Sequence, residues 1–174
     1  GHPAYYQDLA ARIAEETPGA YFINQFGNPD NPLAHKLTTG PEILEQMEGR
    51  VDAIVFGCGS SGTMTGLSQY FAEHSPDTAF ILADPVGSIL AQYINEGVLS
   101  DKSASWMVEG IGEDFLPRNV DFSVIDHFEK VTDRDAAIMT SRIAREEGIF
   151  AGNSAGSAMA GLLPPIVSEN LVGR

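Results

Sequence analysis

The chain has 174 residues, of which 43% are hydrophobic and 20% charged, enough for one domain with a real core and too apolar for a disordered segment. Acids outnumber bases 24 to 10, a net of −14, so the surface repels phosphate backbones and anionic membranes and no nucleic acid or membrane is expected as partner. A single cysteine, Cys58, excludes an internal disulfide, and with no leader and no bilayer-length apolar run the composition points to a soluble, cytoplasmic protein.

Strand-like and helix-like segments alternate along the chain. Tyr5, Leu9 and Ile13 recur at four-residue steps and predict a first helix, ended by Pro18-Gly19. Ala20 to Phe26 reads as a short strand, and Gly27 to Pro32 as turn chemistry. Thr39 followed by Glu42 has capping-box spacing with Pro41 in the first turn, predicting a helix to Glu48 that Gly49 closes. Val51 to Phe56 is a buried strand, Gly57 to Gly62 a glycine-serine loop, and Thr63 to His74 the helix that follows. Thr78 to Ala83 is a second buried strand, stopped by Asp84-Pro85, and Gly87 to Asn95 is helical. Trp106 to Gly112 and Val120 to His127 hold shorter extended pieces. Thr132 with Asp135 opens a helix that ends at Gly148, where glycine commonly takes the position after a helix. Gly148 to Ala151 reads as a short strand, Gly152 to Gly156 as a second small-residue loop, and the last helix should stop at Pro164-Pro165. This order predicts an α/β fold: a three-layer, open, mostly parallel sheet with helices on both faces, over residues 1–163, followed by an irregular tail at 164–174.

The loop after the first strong strand carries the chemistry. Gly59, Ser60, Ser61, Gly62 and Thr63 lie between a strand and the start of a helix. Glycines let backbone approach an anion, and a helix N-terminus offers unpaired N–H groups and partial positive charge. The expected ligand is a phosphate, with a plain tight turn as the alternative. No G-K-[ST] follows, so this is not a nucleotide P-loop. The letters also fit G-x-G-x-x-G, and Asp84 lies 22 residues after Gly62, so spacing leaves a dinucleotide open. The second loop places Ser154 where a strand runs out, a place where open sheets put ligands; its plain reading is a helix cap.

Taken together, GCGSSGTMTG, VEGIGEDFLP and GIFAGNSAGSAMAG, in that order, resemble the pyridoxal-phosphate enzymes of the tryptophan-synthase-β fold group. NPLAH at 31–35 with TTGPEI at 38–43 narrows the resemblance to the cystathionine β-synthase branch, with cysteine synthase as near relative. The resemblance implies the large domain of that fold in part, with pyridoxal 5'-phosphate as cofactor. By position it implies that Gly59 to Thr63 hold the cofactor phosphate and that the Ser154 hydroxyl meets the pyridine nitrogen. It also implies that Gly110, Gly112 and Glu113 line the substrate side. Two positions depart from the commonest pattern: Ser61 stands where glycine is frequent, and Glu113 where many relatives carry tyrosine or alanine.

A Schiff-base enzyme also needs a lysine. Lys36, Lys102 and Lys130 are the only three, none lies in the serine- and glycine-rich context the family uses, and each reads as a solvated surface residue. No catalytic residue is therefore expected in this chain, which reads as the C-terminal portion of a catalytic domain, inactive alone. The intact enzyme would condense serine with homocysteine, as a homodimer or by association with the missing half. Cysteine synthesis from O-acetylserine and sulfide is the rival reaction, and a non-catalytic phosphate- or nucleotide-binding module is the rival class. His2, His35, His74 and His127 show no metal spacing, so no metal is expected; His35 belongs to the NPLAH motif and is read as structural. Cys58 is read as a packing residue and Trp106 as core or interface.

Overall fold

A computed structural model describes residues 5–99 and 103–169, with side chains through Pro164; His2 and Lys102 lie outside the described residues. Three parallel strands form the sheet in the order β1 (Ala53–Phe56), β2 (Ala79–Pro85) and β3 (His127–Val131), with β2 in the middle. The register sets Ile54 beside Phe80, Phe56 beside Leu82, and Leu82 beside Phe128. Side chains alternate across a strand, so these residues share one face. Helices α4 (Gly62–His74) and α5 (Leu90–Glu96) cover it: Met64, Leu67, Phe71 and Leu90 bury themselves against Phe56, Phe80 and Leu82. The other face presents Val55, Ala83 and Val131 to Ala136 of α6 (Asp133–Glu146) and Ala160 of α7 (Asn153–Glu169). Two helical layers around a parallel sheet are the predicted architecture, and each βαβ step buries one more stripe of the sheet.

Local signals held where they were purely local. Thr132 caps α6, its hydroxyl accepting from the Asp135 N–H at 3.1 Å. Gly148 follows α6 with φ +71°, the left-handed position expected of it.

Other expectations fail, each for a reason of packing. Thr39 is not a cap. It sits at φ −64° and ψ −42° inside a continuous helical run, α2 (Asp30–Ala34), a π-turn (His35–Thr39) and α3 (Gly40–Gln46). The Gly27 to Pro32 turn thus closes early, with helix already begun at Asp30. Neither Ala20 to Phe26 nor Gly148 to Ala151 forms a strand among the described residues, and Tyr21, Ile23 and Phe150 stand well exposed. The extended piece at Val120 to His127 is interrupted by a 3₁₀ turn (Phe122–Val124), with Asp121 and Ile125 extended on either side and the strand beginning where that piece was to end. Trp106 to Gly112 is irregular. β2 runs through Asp84 and Pro85 rather than stopping before them. The last helix passes Pro164-Pro165 and reaches Glu169, although two prolines leave two carbonyls without their helical donors. Helix α1 (Tyr6–Glu16) forms as expected.

Candidate cofactor site

The loop after β1 is shaped by one strained residue and a tight partner loop. Ser61 adopts φ +69°, a left-handed conformation that side chains disfavour, which accounts for glycine being common at such a position. Its buried hydroxyl lies 3.1 Å from the Cys58 thiol. Burial pushes that thiol up to about 11, so Cys58 is a packing residue and not a nucleophile. Helix α4 then starts at Gly62. Among the described residues, no protein acceptor takes the backbone N–H of Ser60, Ser61, Gly62 or Thr63. These orphan donors at the positive end of a 13-residue helix suit a phosphate monoester, and a side chain is not needed to neutralise it.

The segment 110–113 closes over this loop. The Gly112 N–H donates to the Cys58 carbonyl at 2.8 Å. Gly112 has φ +78°, and a Cβ there would strike the Pro85 ring. A Cβ on Gly59 would come within 2.6 Å of the Gly110 carbonyl. The two loops therefore touch backbone to backbone, which only glycine permits. Between them opens a cavity of about 490 Å³ lined by Gly59, Ser60, Gly110, Gly112, Glu113 and Trp106, with Tyr6, Gln25 and Phe26 at its side. Glu113 is half-buried in that wall, and desolvation, helped by neighbouring Asp114, pushes its carboxyl up to about 7. A larger cavity of about 580 Å³ lies at the opposite edge of the strands, around Arg50, Asp77 and Asp126, and shares no residue with either glycine loop. Ligands of open parallel sheets collect at the carboxyl ends of strands, so the first cavity is the relevant one.

Residues missed in the sequence hold this wall in place. Lys130 donates to Asp84 Oδ2 at 2.7 Å and to the Ser88 carbonyl at 2.6 Å. Ser88 Oγ accepts from the Glu113 N–H at 3.1 Å, and the Ile89 N–H donates to the Glu113 carbonyl at 3.0 Å. An ion pair with a buried carboxylate thus anchors the backbone that carries Glu113. Asp84 is fully buried, whereas Lys130 is a surface residue as the sequence suggested, with its ammonium engaged by that carboxylate. Lys36 likewise is not free: it pairs with Glu73 at 2.7 Å. Asn31 was also missed as a contact; its side-chain amide donates to Ser60 Oγ at 3.0 Å and to the Gln25 carbonyl at 2.8 Å. The signal was present, since Asn31 opens the NPLAH motif.

Ser154 lies inside the first turn of α7 and is not a cap residue. Gly161, seven residues on, packs on Ala83 and Val131 near the strand ends. Gly156, two residues after Ser154, packs against Ala136 and Thr140 of α6. Ser154 does not line the 490 Å³ cavity. Among the described residues no cluster could hold a metal ion, and no helix is long and apolar enough to cross a membrane.

The fold and the unclaimed N–H groups of the cradle suit a phosphorylated small molecule at the carboxyl edge of a parallel sheet. The family profile of pyridoxal-phosphate dependent enzymes matches residues 2–171, and the chain belongs to that family. Its cofactor is pyridoxal phosphate, whose monoester phosphate fits the unclaimed N–H groups at 60–63. The chain is 40% identical to a cystathionine beta-synthase of Dictyostelium discoideum over 92% of its own length and 32% of that protein. It is 39% identical to the cystathionine beta-synthase of Oryctolagus cuniculus over 91% of its length and 28% of that protein. It is 37% identical to cysteine synthase 3 of Caenorhabditis elegans over 90% of its length and 44% of that protein. The chain thus spans less than half the length of these relatives.

Proposed function

We propose that this chain forms part of an enzyme that condenses serine with homocysteine to give cystathionine. The observation that carries the reading is the set of unclaimed N–H groups at Ser60, Ser61, Gly62 and Thr63, opening beside a cavity walled by Gly110, Gly112 and Glu113. In this reading residues 59–63 bind the cofactor phosphate, and the Ser154 hydroxyl faces the pyridine nitrogen. A hydroxyl there holds no proton on the ring, unlike a carboxylate. When bound, the cofactor supplies an electron sink for loss of the β-substituent of an amino acid and its replacement by a thiol. Gly110 and Gly112 leave room for the substrate, and Glu113 holds or releases a proton near neutral pH at the rim where the second substrate enters. The Schiff-base lysine comes from outside this chain, by association with further sequence of the protein, in a cytoplasmic homodimer.

Cysteine synthesis from O-acetylserine and sulfide is the second reading, supported by the cysteine synthase relative. The full-length protein, given serine with homocysteine and separately O-acetylserine with sulfide, decides between them by kcat/KM. A higher value for serine with homocysteine is expected; the reverse order replaces the first reading with the second. Titration with pyridoxal phosphate should raise the melting temperature while NAD leaves it unmoved. A response to NAD alone would make the chain a nucleotide-binding module.

A further inference from the structure

The π-turn at His35–Thr39 brings a histidine ring to the cofactor loop. His35 Nδ1 lies 2.9 Å from Thr39 Oγ1, and His35 Nε2 lies 3.2 Å from Thr63 Oγ1. The ring is held from below as well. Its Cβ packs over Gly66, where an added Cβ would stand 2.7 Å away, so α2 and α4 approach as closely as glycine allows. Wide π-turns are uncommon and often mark functional positions.

Two arrangements of the three groups satisfy these contacts, and they differ in where the Thr63 hydroxyl proton goes. A neutral imidazole donates from one nitrogen and accepts at the other. Thr38 spends its hydroxyl proton on the Ala34 carbonyl, whereas the Thr39 hydroxyl bonds His35 Nδ1. If Nδ1 carried the proton, Nε2 would accept from Thr63, and the Thr63 hydroxyl proton would be spent on the ring. If Nε2 carries it, Thr39 donates to Nδ1 and Nε2–H donates to the Thr63 oxygen. The Thr63 proton is then left pointing away from the ring, at the open end of α4, where the orphan backbone donors lie. Every donor finds an acceptor once an anion is present.

We propose that His35 is a positioning residue for the anion loop: its Nε2–H grips the Thr63 hydroxyl oxygen, so that the hydroxyl proton donates to a phosphate monoester. The proposal rests on the reading that residues 59–63 hold the cofactor phosphate. It extends that reading to a residue the loop itself does not contain, and gives the NPLAH motif a chemical task beyond packing.

The test uses the full-length protein, freed of cofactor and retitrated with pyridoxal phosphate, with nitrogen NMR of the His35 ring as first readout. The expected result is a proton on Nε2 in the bound state; the Nδ1–H tautomer, with Nε2 bare, overturns the proposal without any variant. Affinity is the second readout. His35→Leu should weaken pyridoxal phosphate binding about tenfold, the loss expected of one hydrogen bond to a charged group. His35→Gln, whose amide N–H can reach Thr63, should restore most of it, and Thr63→Val should lose as much as His35→Leu, with no further loss in the double variant. Equal affinity in His35→Leu and the unaltered protein overturns the proposal. If the loop does not hold the phosphate at all, the Ser60 to Thr63 amide signals stay unmoved on titration of the unaltered protein, which distinguishes that failure from the failure of His35.

Discussion

Glu113 is the residue whose charge the fold controls most directly. Burial and Asp114 raise its carboxyl from the usual 4.5 to about 7. The folded state therefore holds a proton that the unfolded chain has released between those values, and stability falls as pH rises through that window. Glu113→Gln removes the dependence. Because the side chain is partly exposed, the effect is discounted to about 1 kcal/mol, or a melting temperature about 2–4 °C above the unaltered protein at pH 8. At pH 4 the two should melt together; a gap that persists at pH 4 would show that the carboxyl is not the cause. Lys130 acts through Asp84, whose second oxygen is buried with no protein partner. Lys130→Met leaves that carboxylate without its cation and should cost about 3 kcal/mol in urea unfolding. Lys130→Met with Asp84→Asn should recover part of it, since the uncompensated charge is gone. Ser61 shows the same theme in backbone form: a left-handed residue persists where a ligand loop is over-determined by its neighbours.

At the scale of elements, the decisive contact is α2 and the π-turn against α4. A Cβ on Gly66 would overlap the Pro32 carbonyl, which cannot swing aside as a side chain does. Gly66→Ala should therefore force the two helices apart, destabilise the chain by about 1–3 kcal/mol and weaken pyridoxal phosphate binding together. Unchanged affinity in a folded Gly66→Ala protein would disconnect that interface from the site. The elements also show which signals in a sequence can be read. Thr132 and Gly148 bound α6 correctly because a cap and a left-handed terminus involve only neighbouring residues. Thr39 carried the letters of a capping box, yet α2 had already started the helix upstream and left no terminus to cap. Ala20 to Phe26 and Gly148 to Ala151 carried strand-like residues without a paired neighbour, and a strand exists only through its partner.

At the scale of the molecule, the proposed reading sets the cofactor phosphate on this chain and the Schiff-base lysine outside it. Both described lysines are already engaged with carboxylates, Lys36 with Glu73 and Lys130 with Asp84. Borohydride reduction of this 174-residue chain in the presence of pyridoxal phosphate should leave its intact mass unchanged. A mass gain mapped to Lys36, Lys102 or Lys130 would refute the reading that the Schiff-base lysine lies elsewhere.

The α/β class, the three strands of the sheet with helices on their faces, and the family were legible from residue order alone. Periodicity, turn chemistry and glycine spacing are properties of short windows, and a helix N-terminus after a buried strand makes its anion site locally. Tertiary structure alone decided that Lys130 pairs with the buried Asp84, that burial pushes the Glu113 carboxyl up to about 7, and that His35 reaches Thr63. The two contacts join groups 28 and 46 residues apart, and the Glu113 shift comes from its half-buried place in the cavity wall. Burial sets the worth of a charge or a hydrogen bond, and burial belongs to the packed molecule rather than to any window of its sequence.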